Sequence, residues 1–226
     1  MSRRSAEHQF RFYSGVPCLD FLVTLRGRKE ERRETLLRFA DFIDWCRLVG
    51  ILSEEQAARL KATRSREAAR CLREVIRLRE TLYRAFSAVA ANHPVPAKDL
   101  GWINRLLRRE PHYWEIQMDS DGRPVKETVM ATRGLWQPLM RVCQSAVDLL
   151  TSDRLELLRA CANPRCSVFF IDQSRNRTRR WCSMARCGNL IKVTRFYARK
   201  RTARLAQGAG LPMLELTTRR SDSQFS

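Results

Sequence analysis

The chain has 226 residues, 44% of them hydrophobic, enough for one or two domains around a buried core. No apolar run reaches the roughly 18–20 residues of a membrane helix, and no apolar stretch follows the first eight residues as in a secretory signal, so a soluble, cytoplasmic protein is expected. Against 24 Asp+Glu stand 43 Lys+Arg, a net charge of +19 that favours polyanionic partners, nucleic acid first.

Residues 1–14 show no periodicity and read as a flexible arm. Thr35 is placed to cap a helix carrying Leu36, Phe39, Ala40, Ile43 and Cys46, with Gly50 as its stop. The charges at 26–33 and the pair Asp41 and Asp44 read as solvated surface. Ser53 and Gln56 make a capping box. A long helix follows over 65–92, its stripe formed by Leu72, Val75, Ile76, Leu82, Tyr83, Phe86 and Val89, and Pro94 and Pro96 close it. Leu100, Ile103, Leu106 and Leu107 mark a shorter helix. Segments 113–118 and 125–129 flank an Asp-Ser-Asp-Gly turn and predict a β-hairpin. Pro138 starts another helix, and a short one is expected over 155–159. Cys18, Cys46, Cys71 and Cys143 lie among apolar neighbours and read as core thiols.

Chemistry is sparse in this region. His8, His93 and His112 have no helical partner for a metal, and there is no phosphate loop, nucleophile elbow or His-x-Glu. The chain reads as a non-enzyme. Through its N-terminal domain a small-molecule ligand or a second copy of the chain is an open alternative.

The other four cysteines form Cys161-x4-Cys166, fifteen residues, then Cys182-x4-Cys187. Four thiolates fill a tetrahedral site, so one structural zinc ion is expected there, with no open position for hydrolysis. A strand over 168–171 should bring the two pairs together. Such a module takes its folding energy from the metal, so losing the metal should spare the helices.

Trp181-Cys182-Ser183-Met184-Ala185-Arg186-Cys187-Gly188-Asn189 follows Phe170-Ile171-Asp172-x-Ser174-Arg175-Asn176-Arg177 and Arg179-Arg180. Together with Cys161-x2-Pro164 this resembles the CGNR zinc-finger family. Cys18-Leu19-Asp20-Phe21 and Thr24 are similar to the start of the ABATE domain, which precedes the finger in that family. Leu190 stands where the family has the arginine that completes its motif, and Val23 where an asparagine is frequent. The resemblance implies a mainly α fold with a small β-hairpin, a helical N-terminal domain plus a C-terminal four-cysteine finger. It also implies a stress-induced transcriptional regulator of bacteria. The boundaries expected are arm 1–14, helical domain 15–156, finger 157–204 and flexible tail 205–226.

Charge points to the partner. Residues 161–204 hold 12 Lys+Arg and a single acid, Asp172. A helix over 190–204 places Lys192, Arg195 and Arg199 on one face, while Val193, Phe196 and Tyr197 occupy another that can pack on the zinc core. With the loop cations Arg175, Arg177, Arg179 and Arg180 these residues are the expected contacts to double-stranded DNA. Two other readings of the same module are a zinc-thiolate redox switch and a protein-interaction module without nucleic acid.

Overall fold

Pro17 opens the first helix, α1 (Pro17–Leu22), at a position where a missing N–H costs nothing. The computed structural model describes residues 10–62, 66–109, 112–130 and 134–208. The chain divides after Gly188 into two compact units. Five of the six α1 residues are buried, Asp20 among them. Its carboxylate is tolerated inside because the arm folds back over it. The amides of Tyr13, Ser14 and Gly15 donate to it at 2.7, 3.0 and 3.1 Å. Of the expected loose arm, residues 1–9 lie outside the described residues, and Phe10 is buried in the core.

A short ribbon follows, β1 (Leu25–Arg26) paired antiparallel with β2 (Arg33–Glu34). Thr35 follows this ribbon, its amide and hydroxyl both donating to the Thr24 carbonyl at 3.1 and 2.5 Å, and the N-cap of the next helix is Arg38 instead. Helix α2 (Phe39–Leu48) therefore starts later than its apolar spacing suggests, with Asp41 accepting from the Arg38 amide at 2.7 Å. Asp41 is buried and Asp44 pairs with Lys61, so neither is a plainly solvated charge. Helix α3 (Glu54–Lys61) begins on the expected capping box, Gln56 N–H to Ser53 Oγ at 3.2 Å and Ser53 N–H to Gln56 Oε1 at 2.9 Å.

The central element is α4 (Arg66–Ala90), 25 residues long. Cys71, Val75, Leu78, Leu82 and Phe86 repeat at three- and four-residue steps and are fully buried, with Leu72, Tyr83 and Val89 at the stripe's edge. Arg79 sits within the stripe and is 1% exposed. It forks onto Glu34 at 2.7 and 2.6 Å and also donates to Thr24 and Glu80. Arg28 forks onto Glu80 at 2.6 and 2.9 Å and lies 4.1 Å over the Tyr83 ring. The 26–33 charges are thus partly structural, because the ribbon lays Arg28 on α4.

Helix α5 (Ala97–Arg109) buries Trp102, Ile103 and Leu106 but leaves Leu100 40% exposed. The expected hairpin forms from β3 (His112–Met118) and β4 (Pro124–Met130), in register from His112 opposite Met130 to Met118 opposite Pro124. Pro138 lies in the first turn of α6 (Gln137–Leu150), whose Leu139, Val142, Cys143, Ala146 and Leu149 close the core. A 3-10 turn at Asp153–Leu157 leads into β5 (Leu158–Ala160), which pairs with β6 (Phe169–Ile171). The short helix expected over 155–159 forms two residues earlier as this 3-10 turn, and it stops at Leu157 because Leu158 is taken into the ladder opposite Ile171.

The β6 strand has two apolar faces. Phe169 and Ile171 join Leu158 in the helical core, and Phe169 meets Tyr83 at a ring separation of 5.5 Å. Phe170 points the other way, into a smaller cluster with Cys161, Val168, Cys182 and Cys187. The second unit contributes α7 (Asn189–Gly208); the tail beyond it lies outside the described residues. The molecule is mainly α, with small antiparallel strand pairs. Among the described residues no helix is long and apolar enough to cross a membrane.

Candidate metal centre and its basic surround

The first cysteine pair grows out of the β5–β6 ladder, where the Cys161 amide donates to the Val168 carbonyl at 3.0 Å. Asn163 then turns the loop: its side chain accepts from the Arg165 amide at 3.1 Å and its carbonyl from the Cys166 amide at 2.8 Å. In the second pair Cys182 precedes a tight π turn, Met184–Gly188, and Cys187 lies on it, with the Cys187 and Gly188 amides both donating to the Ser183 carbonyl. A bond from the Ala162 amide to the Arg180 carbonyl, 2.8 Å, ties the two loops together. Gly188 fits this turn because a Cβ there would come 2.3 Å from Met184 Sδ and 3.1 Å from Trp181.

The four sulfurs all lie within 4.8 Å of one another. Cys182 is 3.8 Å from Cys166 and 3.7 Å from Cys187, far beyond a disulfide. A tetrahedron with metal–sulfur bonds of about 2.3 Å has edges of about 3.8 Å, so these separations suit a zinc ion. Three of the cysteines are buried and Cys166 is half-buried. The Asn163 side-chain Nδ2 and the Cys182 backbone N–H donate to Cys187 Sγ and Cys161 Sγ, each at 3.5 Å, which stabilises negative sulfur. Hydrogen bonds from the Cys166 and Cys182 thiols hold Cys161 far below its ordinary value, and the same bonds push Cys166 and Cys182 up. Four thiolates so close ionise together only around a cation. The donor set fits one structural zinc ion held by Cys161, Cys166, Cys182 and Cys187.

The remaining cysteines contrast with these. Burial pushes the Cys18, Cys71 and Cys143 thiols up to about 12, and Cys46 is raised by the same cause. They are inert core residues, as the sequence predicts.

Asp172 organises the basic loop before the second cysteine pair. Its carboxylate, 1% exposed, accepts from the Ser174 hydroxyl and amide and from the Arg179 amide. The Ser174 bond is the main reason its pKa falls below the usual carboxylate value. Arg175, Arg177 and Arg180 are exposed, and Arg177 takes a positive φ of 51°. Arg179 is committed differently: it donates to the Trp181 and Cys182 carbonyls and lies 4.4 Å over the Phe170 ring. On α7, Lys192, Arg195 and Arg199 are all exposed. Val193, Phe196 and Tyr197, on the same helix, are 51%, 61% and 64% exposed.

Sequence reasoning missed the contacts that join the finger to the helical domain. Val23 and Tyr13 pack on the cysteine cluster, Arg186 reaches the Tyr13 hydroxyl, and Arg165 pairs with Glu30 at 3.1 Å. No local pattern announces them, because each joins residues more than 100 positions apart. Asn163 carried a signal, since Asn-Pro after a ligand is a turn former.

Residues 158–200 match the CGNR zinc finger. Residues 15–153 match the ABATE family, whose description reads "Putative stress-induced transcription regulator". Neither is an enzyme family. None of the curated proteins matches the chain. With the match spanning more than half its length and the four cysteine sulfurs gathered within 4.8 Å of one another, the chain belongs to the ABATE family and carries a CGNR zinc finger.

Proposed function

We propose that the protein is a stress-responsive, DNA-binding transcriptional regulator acting in the bacterial cytoplasm. Its helical domain (15–156) receives a signal, and its finger (157–204) contacts duplex DNA. The observation that carries this reading is the one-sided charge of the finger segment: 12 cations and one acid between 161 and 204 in the sequence, that acid turned inward. An ordinary solvated face mixes both signs. Arg175, Arg177 and Arg180 on the loop, with Lys192, Arg195 and Arg199 on α7, are the contacts to phosphate and base edges. Arg179 braces the loop between Phe170 and the Trp181 and Cys182 carbonyls.

The test is fluorescence anisotropy on random-sequence duplex over a salt series. Each phosphate contact contributes a slope of about −0.9 in log K against log salt. Replacing Lys192, Arg195 and Arg199 with Gln should flatten the slope by up to about 2.7 while zinc content holds. No salt-dependent binding by the zinc-loaded parent would overturn the reading in favour of a protein-interaction module.

A further inference from the structure

The helical domain contains an open cleft of about 540 Å³ between α6, the α1 entry and the hairpin. Three cations from three elements converge on it: Lys126 from β4, Arg141 from α6 and Arg154 from the 3-10 turn. One acid, Asp148, lies among them, and it accepts a hydrogen bond from Gln144 at 2.7 Å. The Arg141 Nε is buried without a hydrogen-bond partner. That atom is shielded from the cleft, but the guanidinium to which it belongs lines it and offers a planar fork matched to a carboxylate or phosphate. Val16, Ile51 and Leu149 add apolar wall. A ligand for such a lining is an anion on a small apolar body.

We propose that this cleft is an effector site for a small organic anion, a carboxylate or phosphate ester, bound by Arg141 and Arg154. The site has a physical route to the finger. Gly15 and Val16 form part of its wall, and Asp20 holds the Tyr13, Ser14 and Gly15 amides. Tyr13 in turn packs on the cysteine cluster and receives Arg186. A ligand that orders the wall therefore orders the segment touching the finger. Anion binding itself does not depend on the regulator reading; only its consequence for DNA does.

The test is calorimetry on the full-length, zinc-loaded protein with benzoate and phenyl phosphate as probes and benzamide as the neutral counterpart. Saturable one-to-one binding of at least one anion is expected, with benzamide at least about tenfold weaker, the scale of a charge-assisted pair. Arg154→Gln, on the short turn, and Arg141→Gln should each weaken the anion at least about fivefold. No saturable binding up to about 10 mM, the weak end for ligands of this size, would overturn the proposal. Equal binding of benzamide, or anion binding untouched by both variants, would do the same. Hydrogen exchange supplies the second readout: the Tyr13, Ser14 and Gly15 amides should exchange more slowly with the anion bound, and unchanged exchange refutes the route to the finger. DNA anisotropy on the same samples separates the outcomes, since lost anion binding with intact DNA binding refutes the effector site alone.

Discussion

Gly27 and Gly50 both hold positive φ, +61° and +77°, but only one is crowded. A Cβ at Gly27 would lie 1.9 Å from the Glu31 carbonyl oxygen, whereas at Gly50 nothing lies within 4 Å. Gly27→Ala should cost about 2–3 kcal/mol in urea unfolding and Gly50→Ala only about 1 kcal/mol. Arg79 is the other single residue on which the ribbon depends. Arg79→Met strips Glu34, Glu80 and Thr24 of a shared donor and should cost about 2–4 kcal/mol, moderated because Glu34 retains some water. Burial pushes the Glu34 and Glu80 carboxyls up, but Arg79 and the Thr35 and Leu36 amides at Glu34, and Arg28 with Arg79 at Glu80, outweigh it and hold both below their ordinary 4.5. Depressed carboxylates contribute fully above 4.5 and lose that contribution as pH falls through their native values. Stability should therefore drop on acidification below 4.5, and less steeply in Arg79→Met, as read by chemical denaturation at a series of pH values.

At the scale of elements, β6 separates two cores by alternation alone. Phe169 serves the helices and Phe170 the cysteine cluster. Phe169→Ala should cost about 3–4 kcal/mol of global stability with zinc affinity little changed. Phe170→Ala should weaken zinc retention against a chromophoric chelator, because it removes the apolar backing of the sulfurs and the platform for Arg179. Equal effects on both readouts would show that the two faces are not separable. The stripe of α4 and the turn of the hairpin are legible in the sequence because both depend on residues two to four apart. The start of α2 is not, since a strand-like bond to Thr24, eleven residues upstream, competes for Thr35.

Across the whole molecule, the helices and the finger share material. Leu158, Phe169 and Ile171 complete the helical core, and Val23 and Tyr13 complete the finger's. The sparing of the helices on metal loss, expected from the sequence, is revised by this packing. Chelation or Cys187→Ser should lower the thermal transition of the helical signal at 222 nm, with finger and helices melting together. An unshifted helical transition in zinc-free protein would contradict the shared core. Val23, which departs from the family's frequent asparagine, lies at this junction and supplies apolar contact there.

By itself the sequence determined the stripe of α4, the capping box of α3, the hairpin, the inert thiols and the four zinc ligands. Each of these is written in spacing: helical steps of three and four, alternation of two, and two short loops that bring sulfurs together by chain connectivity. Tertiary structure decided what needs residues from distant positions. Arg79 falls on the buried stripe, and only the ribbon folded across it makes a charge acceptable there. Asp20 enters the sequence only as part of the ABATE-like start, and its role as the acceptor of three arm amides appears once the arm closes over it. The cationic cleft draws Gly15, Lys126, Arg141 and Arg154 from four separate segments. Charge and burial act through space, and for these residues proximity in space comes from packing rather than from the order of the chain.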